Sequence, residues 1–150
     1  MKRSYGAAEA PEVAREVLAL LPVYPDKATI VGLSGPLGAG KTSLTQEIAL
    51  ELGVVERVVS PTFVVAKWYA PGAGLFKTIV HMDAYRIESE DELIPLGFSD
   101  IVKKPETLVI IEWPEKLPKT LAEHPPIMFL LDHEEENRSI VGPVPYERNH

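Results

Sequence analysis

Gly35-Pro36-Leu37-Gly38-Ala39-Gly40-Lys41-Thr42 fits the pattern G-x-x-x-x-G-K-[ST] at every fixed position. Ahead of it, Ala28-Thr29-Ile30-Val31-Gly32-Leu33-Ser34 is an apolar, β-branched run that reads as a buried strand. Behind it, Leu44, Ile48 and Leu52 recur at helical spacing until Gly53 supplies a stop. Strand, glycine loop and helix in that order make an anion cradle. Successive N–H groups curl around a phosphate, and the helix N-terminus adds its partial positive charge. The candidate nucleotide contacts are therefore Gly35, Leu37, Gly38, Ala39, Gly40, Lys41, Thr42 and Ser43. Lys41 is expected to reach the β/γ-phosphates and the Thr42 hydroxyl to ligate Mg²⁺. Pro36 has no N–H and can shape the loop without donating to phosphate.

The chain around this loop has 150 residues, enough for one domain that buries roughly two-thirds of its unfolded surface. Fifteen Lys and Arg against 22 Asp and Glu give a net charge of −7, which argues against a broad cationic nucleic-acid surface. If the protein serves a nucleic-acid process, a partner is expected to carry the nucleic acid. No apolar run approaches the ~20 residues of a membrane span, and no signal-peptide core opens the sequence. Cys is absent, so disulfides, thiolate nucleophiles and Cys-ligated metals are excluded, and a cytoplasmic location is expected.

Upstream of the loop, residues 1–8 read as a flexible tail. Pro11 suits a helix first turn, and Val13, Val17, Leu20 and Leu21 form an apolar stripe ended by Pro22. Downstream, Pro61 pushes Ser60 towards extended backbone and shapes the segment Ser60-Pro61-Thr62-Phe63. Thr62 is the hydroxyl there that could approach Mg²⁺ or the γ-phosphate; a solvated strand-start hydroxyl is the plainer reading of it. Residues 63–69 and 75–82 are β-rich runs joined by a Pro- and Gly-bearing link, which predicts an antiparallel hairpin. The second run ends His81-Met82-Asp83, an apolar strand that aims a carboxylate; His81 shares the face of Asp83 and reads as structural.

Ser89 and Glu92 form a capping box that opens a short helix. Thr107-Leu108-Val109-Ile110-Ile111 is apolar on both faces, as a central parallel strand should be, and it ends in Glu112-Trp113-Pro114-Glu115. Glu112 is placed to orient or deprotonate a water. Asp83 and Glu112 compete for the metal-side acid, and composition and spacing leave that choice open. Residues 127–131 read as a further strand, Asp132 to Asn137 as an acidic turn and Arg138 to Val141 as a short return strand. The domain is thus expected over 9–141, with 142–150 a second flexible tail.

Four motifs in this order and spacing resemble the TsaE family: Leu33 to Thr42, Ser60-Pro61-Thr62-Phe63, His81-Met82-Asp83-Ala84-Tyr85-Arg86 and Ile111-Glu112-Trp113-Pro114-Glu115. The resemblance covers about residues 10–141. It implies an α/β fold, a P-loop NTPase-like three-layer sandwich with a mostly parallel central sheet and an antiparallel hairpin. It also implies Mg²⁺-dependent, partner-stimulated ATP hydrolysis in support of the TsaB–TsaD complex, which threonylcarbamoylates the tRNA adenosine next to the anticodon. By position, the metal side comprises Thr42, Thr62, Asp83 and Glu112, with Asp83 taking the Walker-B role. Lys41 and Thr42 hold phosphates and metal, Glu112 is required for hydrolysis, and Trp113 stands at the nucleotide beside it. The family usually has Asp where this chain has Pro36.

A small-molecule or nucleoside kinase is the rival enzyme reading. It needs an acceptor pocket and several arginines over the phosphates, for which Arg86 is the one well-placed candidate in the sequence. A non-hydrolysing nucleotide switch, marked by binding without turnover, is the third. In the ATPase reading the ATP cycle is expected to reset or gate the partner complex, with Ser60–Phe63 as the moving segment.

Overall fold

The computed structural model describes residues 1–59 and 66–147. In chain order they form β1 (Lys2–Tyr5), α1 (Ala10–Ala19), β2 (Thr29–Ser34), α2 (Lys41–Glu51), β3 (Ala66–Tyr69) and β4 (Thr78–Asp83). Then follow α3 (Phe98–Ile101), β5 (Thr107–Glu112), α4 (Pro118–Glu123), β6 (Ile127–Glu134) and β7 (Asn137–Val144). Single 3₁₀ turns occupy Ala7–Glu9, Glu90–Leu93 and Pro114–Lys116.

One seven-stranded sheet runs in the order β1-β7-β6-β2-β5-β4-β3. Its four central strands, β6, β2, β5 and β4, are mutually parallel, and antiparallel strands close both edges. Alternation along the strands divides the core into two faces. Val31, Leu33, Ile79, Leu108, Ile110 and Phe129 point to the face covered by Val13, Ala14 and Val17 of α1 and Leu44 and Ile48 of α2. Ile30, Val80, Met82, Val109 and Ile111 point the other way, onto Phe98 and Ile101 of α3 and Leu121 of α4. Helices on both sides of a sheet make three layers, the α/β architecture of a P-loop fold. β5 is buried at all six positions because it lies between two parallel neighbours and under helices on both faces.

The predicted hairpin is β3 and β4, paired antiparallel from Ala66↔Met82 to Tyr69↔Ile79. The Ser89–Glu92 capping box is formed: the Ser89 hydroxyl accepts from the Asp91 N–H, and the Glu92 carboxylate accepts from the Ser89 N–H at 3.0 Å.

Residues 1–8 are not a tail. β1 pairs with β7 from Lys2↔Val141 to Tyr5↔Arg138, and Tyr5 is 2% exposed. Lys-Arg-Ser-Tyr carries no apolar pattern; the strand exists because the β7 edge offers it a backbone partner. Arg3 then ion-pairs with Glu9, Glu12 and Glu16, tying β1 to the start of α1. The return strand likewise runs past Val141 to Val144, so 142–144 belong to the sheet.

Candidate functional site

The loop between β2 and α2 stands at the carboxyl edge of the parallel strands, where α/β sheets place their ligands. Two of its glycines are required by close approach. A Cβ on Gly35 would lie 2.2 Å from the Leu131 carbonyl oxygen of β6. Gly40, at φ +99°, precedes Lys41 at the start of α2, and a Cβ there would lie 2.8 Å from Arg138 Cδ.

Beside the loop lies a cavity of about 270 Å³. The expected residues Leu37, Gly38, Gly40, Lys41, Thr42, Ser43, Asp83, Glu112 and Trp113 line it, joined by Tyr85 and Arg138. Gly35 and Ala39 stand outside the lining. Gly35 offers its carbonyl to Lys41, and Ala39 is 1% exposed, packed into the α1/α2 face of the core with its N–H on the Pro36 carbonyl. Thr62, with Ser60 and Phe63, lies outside the described residues.

Strand parity assembles the acid side. On β5, Glu112 follows Leu108 and Ile110 on the α2 face; on β4, His81 and Asp83 follow Ile79 on that same face. Parallel register sets Asp83 directly beside Glu112. Glu112 is 3% exposed, and its carboxylate accepts the Thr42 hydroxyl at 2.9 and 3.0 Å to its two oxygens. His81, fully buried, places Nε2 2.6 Å from Glu112 Oε2. An ionised carboxylate only accepts, so this contact assigns the proton to Nε2. Among the described residues, the buried His81 Nδ1 has no hydrogen-bond partner. Sequence reasoning put His81 and Asp83 on one face but could not pair His81 with Glu112, because that contact needs the β4/β5 register. Asp83 accepts the Tyr85 N–H at 2.9 Å.

Lys41 is 5% exposed. Its ammonium donates to the carbonyls of Gly35 at 2.5 Å and Pro36 at 3.0 Å, and sits 4.0 Å from the centre of the Trp113 ring. Burial pulls the Lys41 pKa below the ordinary lysine value, while Glu112, Glu115 and Asp83 act against that pull. Trp113 has φ +60°, ψ +52°, a left-handed backbone that costs on the order of 1–3 kcal/mol in a residue other than glycine. The turn swings its ring back over Lys41, and Tyr85 supports it with ring centres 4.9 Å apart.

Arg86 is exposed and outside the cavity lining; Arg138, from the other side of the sheet, is inside it. No local motif marked Arg138, which reaches the loop only through the β6–β7 hairpin.

The chemistry available is thus a backbone anion cradle, two cations and, on one rim, a hydroxyl with two carboxylates. That all-oxygen rim fits a hard divalent cation. Among the described residues, no group of three or more His, Asp or Glu could hold a metal by itself. Mg²⁺ takes one or two protein carboxylates and completes its shell with water and substrate phosphates, so the rim meets its needs. No helix among the described residues is long and apolar enough to cross a membrane.

Comparison with known proteins bears on which family the chain belongs to. The family model described as "Threonylcarbamoyl adenosine biosynthesis protein TsaE" matches residues 6–140. The tRNA threonylcarbamoyladenosine biosynthesis protein TsaE of Haemophilus influenzae is 35% identical over 121 residues, covering 81% of this chain and 73% of that protein. That of Mycobacterium tuberculosis strain H37Rv is 39% identical over 98 residues, covering 63% of this chain. The chain spans 58% of the length of that mycobacterial relative. A solved structure described as "Crystal structure of Bacillus subtilus YdiB" superposes over 93% of this chain and 82% of its own, with TM-score 0.65 and 23% identity, and so shares the fold.

Proposed function

The chain belongs to the TsaE family of tRNA threonylcarbamoyladenosine biosynthesis, and from that premise we propose that it is a Mg²⁺-dependent ATPase that drives or resets the TsaB–TsaD complex. The observation that carries the reading is the convergence of Lys41, Thr42, Asp83 and Glu112 on one cavity beside the glycine loop. The tRNA meets this protein only through its partners, in keeping with a net charge of −7. The action is placed in the cytoplasm.

In this reading Lys41 gives up the Gly35 and Pro36 carbonyls for β/γ-phosphate oxygens, and loop N–H groups take the rest of the charge. Thr42 and Asp83 would hold Mg²⁺ with Glu112 beside them; when bound, the ion supplies neutralisation of phosphate charge. Glu112 orients the attacking water and accepts its proton. His81 fixes the rotamer of that carboxylate from behind, as the partner of a site ligand commonly does.

The assay that tests the function is ADP release by the protein alone and with TsaB and TsaD, in the absence of any phosphoryl acceptor. Release that rises with the partners is expected. Release that appears only when a small-molecule acceptor is added would make the protein a kinase. Binding without turnover in either mixture would make it a switch.

Two substitutions separate roles within the acid rim. Asp83→Asn is expected to move the Mg²⁺ dependence of turnover to concentrations roughly 10- to 100-fold higher, the usual scale for a weakened metal shell. An unchanged Mg²⁺ titration would return the metal-side role to Glu112. His81→Leu removes one of the two side-chain donors to Glu112 and is expected to lower kcat by roughly 10- to 100-fold with little change in ATP affinity. His81→Gln, whose amide can donate to the same oxygen, should recover part of the loss. Equal losses in both variants, or a loss carried by affinity alone, would count against a positioning role.

A further inference from the structure

We propose that Glu115 is a positioning residue: its carboxylate, tied to Ser34 at the end of β2, seats the Trp113–Glu115 turn so that the Trp113 ring stays over Lys41. The proposal rests on the ATP reading above and gives a role to a residue which that reading leaves idle.

Three successive residues of the turn dock on three successive positions of β2. The Trp113 N–H donates to the Leu33 carbonyl at 3.3 Å. Pro114 lies on Gly32, where an added Cβ would come within 3.2 Å of Pro114 Cγ and 3.3 Å of its Cβ. The Ser34 hydroxyl donates to Glu115 Oε2 at 3.1 Å. Leu33 faces α1 and α2, so by alternation Gly32 and Ser34 face the other way. The turn is thus gripped on the side of the sheet opposite the helix that begins with Lys41.

The grip is needed because the turn is strained. Trp113 has a left-handed backbone, and it precedes a proline, where extended backbone is preferred. Such a conformation persists only where its neighbours over-determine it. Released, Trp113 returns to extended backbone and carries its ring off the ammonium, whose nitrogen lies 4.0 Å from the ring centre. Tyr85, against the same ring, is itself 42% exposed and does not fix the backbone of Trp113. Of the three docking contacts, one is a long backbone bond and one is packing without direction. The Ser34–Glu115 bond ends on an ionised acceptor, the stronger kind.

Glu115 also bears on Lys41 through space: with Glu112 and Asp83 it supports the lysine's charge against burial. The outcome is a cation set in place before a phosphate enters, with loop carbonyls on it and an aromatic face over it. Preorganisation of this kind lowers the ordering cost of binding, so its loss is read in nucleotide affinity.

The test uses the Trp68→Phe protein, in which Trp113 is the one remaining tryptophan of the two in the chain. Ser34→Ala, Glu115→Ala, Glu115→Gln and the Ser34→Ala/Glu115→Ala pair are compared in it. Without nucleotide, Ser34→Ala and Glu115→Ala should each shift Trp113 emission to longer wavelength and increase its quenching by acrylamide. ADP affinity by calorimetry should fall roughly 3- to 10-fold in each, the worth of one hydrogen bond. KM for ATP should rise by a similar factor, with kcat falling less. The pair should be no worse than either single change, because both remove the same bond. Glu115→Gln keeps an acceptor for the hydroxyl and should recover most of both signals. Unchanged emission and ADP affinity in Glu115→Ala overturn the proposal, as do additive losses in the pair or a loss confined to kcat. Glu115→Gln as impaired as Glu115→Ala also overturns it, leaving Glu115 only its charge. If Glu115→Ala melts early, Ser34→Ala decides alone by the same readings. Wild type that takes up no ADP would sink the ATP reading itself, whereas emission of the nucleotide-free variants still decides whether Glu115 seats Trp113.

Discussion

Glu112→Gln is expected to bind Mg-ATP about as well as wild type while turnover falls by roughly 10²- to 10⁴-fold, the contribution of a positioned general base. The side chain sits at the end of β5 with 3% of its surface exposed, so the amide, nearly isosteric, leaves the core filled. Thr42 and His81 both donate to the carboxylate, and an amide can turn its oxygen towards them and its nitrogen away. Charge and basicity are lost while shape is retained. Single-turnover hydrolysis measured beside calorimetric affinity reads the two effects separately. Turnover within about tenfold of wild type, well inside the range for a general base, would remove Glu112 from that role.

Lys41→Ala is expected to produce the opposite split, with ATP binding itself lost. The lysine's amine is already buried, over the Trp113 ring and against two loop carbonyls, at the place where the proposed function would bring phosphate charge. Burial depresses its pKa, so an incoming anion both pairs with the ammonium and relieves a strained charge. Loss of charge-assisted contacts to two phosphates should weaken Mg-ATP by roughly 100-fold or more. The melting temperature should stay close to wild type, because the lost hydrogen bonds are offset by removal of a desolvated cation. Tight binding by this variant would mean that the loop is not the phosphate grip.

The glycine loop and its flanking strand and helix were legible because each has a local cause: glycine placement, β-branched composition, helical spacing. Glu112 was legible as the carboxylate that ends a central strand, although composition and spacing did not choose between it and Asp83. β1 was not, because Lys2 to Tyr5 become a strand only when β7 lies alongside. Arg138 was hidden for the same reason: its approach to Gly40 is made by a hairpin folding back, and sequence spacing carries no trace of it. His81 was read on the right face, yet its tie to Glu112 depends on how two parallel strands register. The left-handed turn at Trp113 runs against local preference, since a residue before proline favours extended backbone. What escaped the sequence is in each case a contact between distant strands or a conformation imposed by one.

The most direct test of the account is calorimetric titration of Mg-ATP into the wild-type protein. The account predicts saturable uptake of one nucleotide per chain, lost in Lys41→Ala. No uptake by folded wild-type protein at millimolar Mg-ATP, or uptake that Lys41→Ala leaves unchanged, would contradict it.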